Sequence, residues 1–67
     1  MRMKTAFPDQ SVIGQFRRFG PLGPAYQVMQ PIKTGKDGDW LIRIRILNTG
    51  EETDYRYSHL KNDPVAR

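Results

Sequence analysis

The sequence has no cysteine and a single histidine in 67 residues. Disulfides and thiolate metal sites are therefore excluded, and His59 alone cannot provide a His-pair metal site. The seven acidic residues show no ligand spacing. Without staples, stability has to come from packing, and a core this small rarely supplies more than roughly 3–5 kcal/mol. Self-association is an expected supplement. Long apolar runs are also missing: nothing approaches the ~20 residues of a membrane span. The charged start Met1-Arg2-Met3-Lys4-Thr5 has no apolar stretch behind it to form a secretory signal. A cytoplasmic protein of a bacterium or phage, with no membrane contact, is the expectation. There is no G-x-S-x-G elbow and no glycine-rich loop ending in Lys-Ser or Lys-Thr. The chain is accordingly expected to be neither an enzyme nor a cofactor-binding or metal-binding protein.

Charge of one sign is scarcer than the total suggests. The formal net charge is +4, but Arg2, Lys4 and Arg67 lie in the terminal segments. Without them, eight basic residues face seven acidic ones, a net of +1. Bulk charge is weak support for nucleic-acid binding, and only a local cluster would provide more.

What the chain does have is one strong period. Trp40-Leu41-Ile42-Arg43-Ile44-Arg45-Ile46 alternates apolar with mostly polar residues, the pattern of a central antiparallel strand with one buried face. Upstream, Val12, Ile13, Phe16 and Phe19 fall within about 120° on a helical wheel. Asp9 or Ser11 can cap that segment, and Gly20-Pro21 ends it. The spacing predicts a helix over residues 10–19, with a strand through residues 12–16 as the alternative. Gly20-Pro21-Leu22-Gly23-Pro24 reads as a rigid, directed turn. Residues 26–33 read as the first strand, and Pro31 places it at an edge because it cannot donate to a ladder. Gly35-Lys36-Asp37-Gly38 makes a turn, residues 39–47 the central strand, and residues 53–59 the third strand.

The register of the second hairpin follows from the faces. Pairing Leu47 with Glu51 would set Ile44 opposite Asp54 and mix charge into the apolar side. A shift by one residue sets Ile46 opposite Thr53, Ile44 opposite Tyr55, Ile42 opposite Tyr57 and Trp40 opposite His59, and the hydrophobic pattern prefers it. The expected architecture is α+β: a short N-terminal helix packed on a three-stranded antiparallel β-meander. The whole chain forms a single small domain, with 1–8 and 62–67 as loosely ordered tails. The expected core is Val12, Ile13, Phe16, Phe19, Tyr26, Val28, Ile32, Trp40, Ile42, Ile44, Ile46, Tyr55 and Tyr57, with His59 closing its end beside Trp40.

On the other face this register gathers Arg43, Arg45, Asp54, Arg56 and Ser58. Arg45 opposes Asp54, a sensible ion pair, whereas Arg43 opposes Arg56, an unfavourable like-charge pair. Asp54 on the diagonal, water, or a partner carboxylate or phosphate would relieve it. A solvated sheet face is the plainer account of these residues. A partner surface is the functional one, and Leu41, Leu47 and Met29 on the same face suit a protein partner at least as well as nucleic acid. Arg17 and Arg18, beside Phe16 and Phe19, form a second candidate of the stacking-plus-phosphate kind, although the aromatics face inward on the expected helix. The pairs Asp37/Asp39 and Glu51/Glu52 sit beside turns, where solvation keeps carboxylates ordinary.

Three stretches carry a resemblance: Phe-Pro-Asp-Gln-Ser-Val-Ile-Gly-Gln-Phe-Arg-Arg-Phe-Gly-Pro from residue 7 to 21, Gly38-Asp39-Trp40-Leu41-Ile42-Arg43-Ile44, and Tyr55-Arg56-Tyr57-Ser58-His59-Leu60. Together the chain resembles a family of short bacterial proteins classified as a domain of unknown function. That resemblance implies no activity and no binding residues. A helix before a bent sheet is also similar to Sm-like RNA-binding barrels, but those have five strands against the three counted here. The expectation is a non-catalytic interaction module. It would dock a protein, itself included, through the Arg43/Arg45/Arg56 face or an edge strand near residues 28–32. Nucleic-acid binding through Arg17, Arg18, Arg43, Arg45 and Arg56 is the alternative.

Overall fold

The computed structural model describes residues 7–66. Four antiparallel strands form one meandering sheet in chain order: β1 (Phe16–Arg18), β2 (Ala25–Thr34), β3 (Trp40–Ile46) and β4 (Glu52–Arg56). A single 3-10 turn (Gln10–Val12) precedes the sheet, and a one-turn helix, α1 (Tyr57–Leu60), follows it.

This corrects the expected helix on a three-stranded meander. Ile13 is already extended, at φ −66° and ψ 128°. Gly14 sits at φ +88°, a left-handed conformation that glycine reaches without strain and that no α-helix contains. The Gly14 N–H donates to Val28 O at 2.8 Å, and the Val28 N–H donates to Gln15 O at 2.9 Å. The helical spacing of Val12, Ile13, Phe16 and Phe19 is thus overridden by a ladder against β2, and Phe16–Arg18 becomes a strand rather than a helix flank. β2 is consequently interior over its first half. Its second half runs on past β1, and Pro31 sits there, where its missing N–H leaves no donor unpaired. Register shifts between Val28 and Gln30, and again between Pro31 and Lys33, mark bulges in the long strand.

The second hairpin keeps the expected faces but not the expected partners. Ile44 pairs with Thr53, Ile42 with Tyr55, Arg43 with Asp54, Arg45 with Glu52, and Leu41 with Arg56. The Ile46 N–H donates to Glu51 O at 2.8 Å, so residues 47–50 form a four-residue loop. A slip of two residues preserves parity, and hydrophobic patterning cannot detect it. Cross-strand charge can: the observed register faces each of Arg43 and Arg45 with an acid, and the expected Arg43–Arg56 conflict does not arise. Residues 57–59, expected as strand, are released to form α1 with Leu60.

The inner face of the sheet carries the core. Tyr26, Val28, Ile42 and Ile44 are covered by Phe7, Val12 and Leu60, with Ile13, Phe19, Trp40, Tyr55 and Tyr57 packed around them. Phe7 stands edge-on to Trp40 at 5.5 Å and to Tyr57 at 5.1 Å, and Phe19 lies 4.5 Å from Tyr26. Each such aromatic pair adds about 0.5–1.5 kcal/mol beyond burial. Three expected core residues are not in it: Phe16 (43% exposed) faces outward from β1, Ile32 (37%) lies at the second bulge, and Ile46, at the end of β3, is half-buried outside the cluster. His59 is exposed, 5.9 Å from the Tyr55 ring, while the neighbour of Trp40 is Phe7.

Candidate functional site

Alternation along the strands places Phe16 and Arg18 of β1, Gln27 and Gln30 of β2, Leu41, Arg43 and Arg45 of β3, and Glu52, Asp54 and Arg56 of β4 on the outer face. Among the described residues, the 3-10 turn, α1 and Phe7 all pack on the other side. Five of the seven residues singled out from sequence, Arg18, Arg43, Arg45, Asp54 and Arg56, share this face.

The charges of Arg43, Arg45, Asp54 and Arg56 are compensated within the chain. Arg43 Nε donates to Asp54 Oδ1 at 3.0 Å, and its Nη1 lies 3.7 Å from Glu52 Oε1. Arg45 Nη2 donates to Glu52 Oε2 at 3.1 Å. The four side chains form a lattice, a basic stripe on β3 beside an acidic stripe on β4, each about two-fifths exposed. Exposed pairs of this kind contribute about 0–1 kcal/mol each; their consequence is that the face carries little net charge. Arg56 turns toward the β2–β3 turn, where Nη1 and Nη2 donate to Asp37 Oδ2 at 2.7 and 2.8 Å.

Ser58 is part of a structural cap. Asp39 Oδ1 accepts from the Ser58 N–H at 3.1 Å and Oδ2 from the Ser58 hydroxyl at 2.7 Å, and Arg56 Nη1 reaches the same Oδ2 at 3.3 Å. A residue from a distant turn thus caps the start of α1, which has no side-chain cap of its own. The Ser58 hydrogen bond is the main reason that the Asp39 carboxyl lies below its ordinary pKa.

Arg17 and Arg18 separate. Arg17 opposes Tyr26 on the inner face, so it points into the protein. Its Nη1 donates to the carbonyls of Leu60 (3.1 Å) and Asp63 (2.9 Å), while Nε and Nη2 hold Gln15 Oε1. The Leu60 carbonyl also accepts from the Asp63 N–H at 3.0 Å, and the Asp63 carbonyl lies beyond the end of α1. Arg17 therefore ties β1 to the C-terminal segment. Residues 64–66, read as a tail, run beside β1: the Arg18 N–H donates to Pro64 O at 3.0 Å and the Ala66 N–H to Phe16 O at 2.7 Å. Arg18 is exposed, with one long contact to Gly23 O at 3.4 Å.

Sequence reasoning missed Asp63. Its Oδ2 accepts from the hydroxyls of Tyr26 (2.9 Å) and Tyr55 (2.8 Å), and its Oδ1 from the Gly20 N–H (3.2 Å). Burial, with the Asp63 carboxylate, drives the Tyr26 hydroxyl far above its ordinary value and pushes Tyr55 up to about 12. Asp9 plays a smaller version of this role for Tyr57, accepting from its hydroxyl at 2.8 Å. The signal available was two tyrosines at inward positions, each requiring a polar partner. The partner's distance in sequence hid it.

The rest of the surface offers little chemistry. Among the described residues no group of three or more His, Asp or Glu side chains could hold a metal, and no helix is long and apolar enough to cross a membrane. An open recess of about 330 Å³ lies at the β2–β3 turn, lined by Gly35, Lys36, Asp37, Asp39, Leu41 and Arg56.

Residues 4–67 match the model of a family described as "Family of unknown function (DUF5397)". A protein of Haemophilus influenzae, described as "Uncharacterized protein", is 42% identical over 58 residues, which cover 87% of this chain and 92% of that protein. The chain belongs to this family.

Proposed function

We propose that this family member is a non-catalytic interaction module of the bacterial cytoplasm that docks a protein through the outer face of its sheet, which no other element among the described residues covers. The observation that carries the reading is the internal neutralisation of Arg43 and Arg45 by Asp54 and Glu52. It leaves a mixed face on which Phe16 (43% exposed) and Leu47 (45%) stand beside polar and paired charged groups. Protein interfaces have that composition. A phosphate backbone rewards unpaired cations instead, and here Arg43, Arg45 and Arg56 would each have to release an acid first, while Arg17 is engaged with main-chain carbonyls. Nucleic-acid binding remains the competing reading, carried by Arg18 and the overall charge of +4.

Two measurements test this. A photo-crosslinking residue at Gln30, on the outer face, should form discrete protein adducts in cells, whereas the same residue at Asn62, beyond α1, should not. Equal adducts from both positions, or none from Gln30, would overturn the assignment. In the second, amide shifts of Arg43, Arg45 and Arg56 are followed against a short oligonucleotide at low salt. They should stay in place; shifts that collapse steeply as salt rises would establish the nucleic-acid reading.

A further inference from the structure

The borders of the sheet differ in what they leave open to a further strand. The edge of β1 is taken by the C-terminal segment, through the Arg18 N–H to Pro64 O and the Ala66 N–H to Phe16 O. β2 runs on beyond β1, but bulges interrupt its ladder before and after Pro31, and Pro31 itself has no N–H. Bulges and prolines are devices that keep an edge from pairing. β4 has neither. Its five residues pair with β3 in unbroken register, and none is proline.

The groups that this edge offers follow from the hairpin. The Ile46 N–H donates to Glu51 O, so Ile46–Glu51 is a hydrogen-bonded pair, and alternation makes Ile44–Thr53 and Ile42–Tyr55 hydrogen-bonded as well. The N–H and C=O of Glu52 and of Asp54, and the N–H of Arg56, therefore point away from β3. All three residues are exposed, and among the described residues no group of the protein bonds to that edge.

Side chains set the character of a strand that fits. On the outer side, Asp54 gives Oδ1 to Arg43 and keeps Oδ2 without a partner among the described residues, while Arg56 is turned away to Asp37. Glu51, just before the strand, is exposed and makes no ion pair among the described residues. A cation arriving at this edge thus finds carboxylate oxygens without displacing an existing pair. On the inner side stand Thr53 and the half-buried Tyr55, which suit β-branched neighbours.

We infer that the β4 edge receives an extended segment of another protein as an antiparallel fifth strand, with basic residues opposite Glu52 and Asp54 and β-branched residues opposite Thr53 and Tyr55. The main chain supplies the affinity and the alternate side chains the selection. A second copy of β4 fits less well. Pairing that uses every free group of both edges would set Asp54 against Asp54, a like-charge pair. The edge is a different surface from the outer face, so the inference stands apart from that docking reading.

Amide spectra of the full chain test this with two capped peptides. One is a short peptide alternating lysine and valine; the other is the same peptide N-methylated at its lysine amides, which keeps every charge but cannot complete the ladder. The first should shift the amides of Glu52, Asp54 and Arg56 and slow their exchange with solvent, with half-saturation on the order of 1 mM. The second should bind roughly tenfold or more weakly. Asp54→Lys should weaken the first peptide by a similar factor, while the amides of Tyr26 and Val28 in β2 hold their positions and report an intact sheet. No response of β4 up to about 5 mM peptide, or equal binding of the two peptides, overturns the inference. Slowed exchange of the same three amides as the protein alone is concentrated assigns the edge to a second copy and overturns it too. If β4 stays silent while discrete adducts form at Gln30, the edge fails and the outer-face reading survives.

Discussion

Replacing Asp63 by Ala should bring the protein to the edge of unfolding. Its carboxylate accepts three hydrogen bonds, from the Tyr26 and Tyr55 hydroxyls and the Gly20 N–H. Tyr26 is fully buried. Its hydroxyl would be left without a partner and without water, at about 1–3 kcal/mol. Tyr55 and Gly20 are half-buried and recover water, so they lose about 0.5–1.5 kcal/mol each. The total is about 2–6 kcal/mol, against a core of this size that rarely supplies more than roughly 3–5 kcal/mol. Urea unfolding followed by the fluorescence of Trp40, the single tryptophan, reads the loss as a lower midpoint. Adding Tyr26→Phe to the Asp63→Ala protein removes the orphaned hydroxyl and should restore about 1–2 kcal/mol, the coupling that a double-mutant cycle measures. A loss below about 1 kcal/mol, or no recovery in the double variant, would refute the hub.

Gly23→Ala should destabilise by about 1–3 kcal/mol or more, because the new methyl overlaps the Phe19 carbonyl, a backbone atom that cannot step aside; thermal unfolding measures it. Arg17→Met removes the donors to the Leu60 and Asp63 carbonyls and should cost about 1–3 kcal/mol. Amide exchange should show Arg18 and Ala66, whose N–H groups join β1 to the C-terminal segment, losing protection before β3 does. Stability should fall at alkaline pH. Tyr26 and Tyr55 are raised above the ordinary 10 in the folded state, so their contribution is complete below about pH 10. It declines as pH rises toward 12 and the unfolded chain ionises first. Tyr55→Phe should shrink that decline, and a flat profile from pH 9 to 12 would contradict the buried hydroxyls.

The legible part of the fold was the period-two run at Trp40–Ile46. Alternation alone puts Ile42 and Ile44 inside and Arg43 and Arg45 outside, and the structure keeps that assignment. Tyr26 and Val28 were legible as core for the same reason, alternate positions on one face of a strand, whereas Val12 is core although the helix that placed it there does not form. Phe7 was harder to place, because its partners Trp40 and Tyr57 lie more than thirty residues away. The helix over residues 10–19 failed because a wheel scores side-chain spacing and ignores what the backbone can pair with. Gly14 and the free edge of β2 together decided for a strand.

The candidate site shows the same division. Sequence found the arginines and the acids, and the tertiary structure decided which meet. A register moved by two residues leaves every face unchanged yet exchanges the Arg43–Arg56 conflict for the Arg43–Asp54 and Arg45–Glu52 pairs. Arg17 became an inward tie because β1 pairs Arg17 with Tyr26 rather than lying on a helix. What the sequence by itself determined was local: the alternation of β3, the turns, the exclusion of disulfides, and family membership. Partner identity across strands, the cap from Asp39 to Ser58 and the Asp63 hub required the closed structure. Such contacts join residues 7 to 43 positions apart, and no local period encodes which residues will meet.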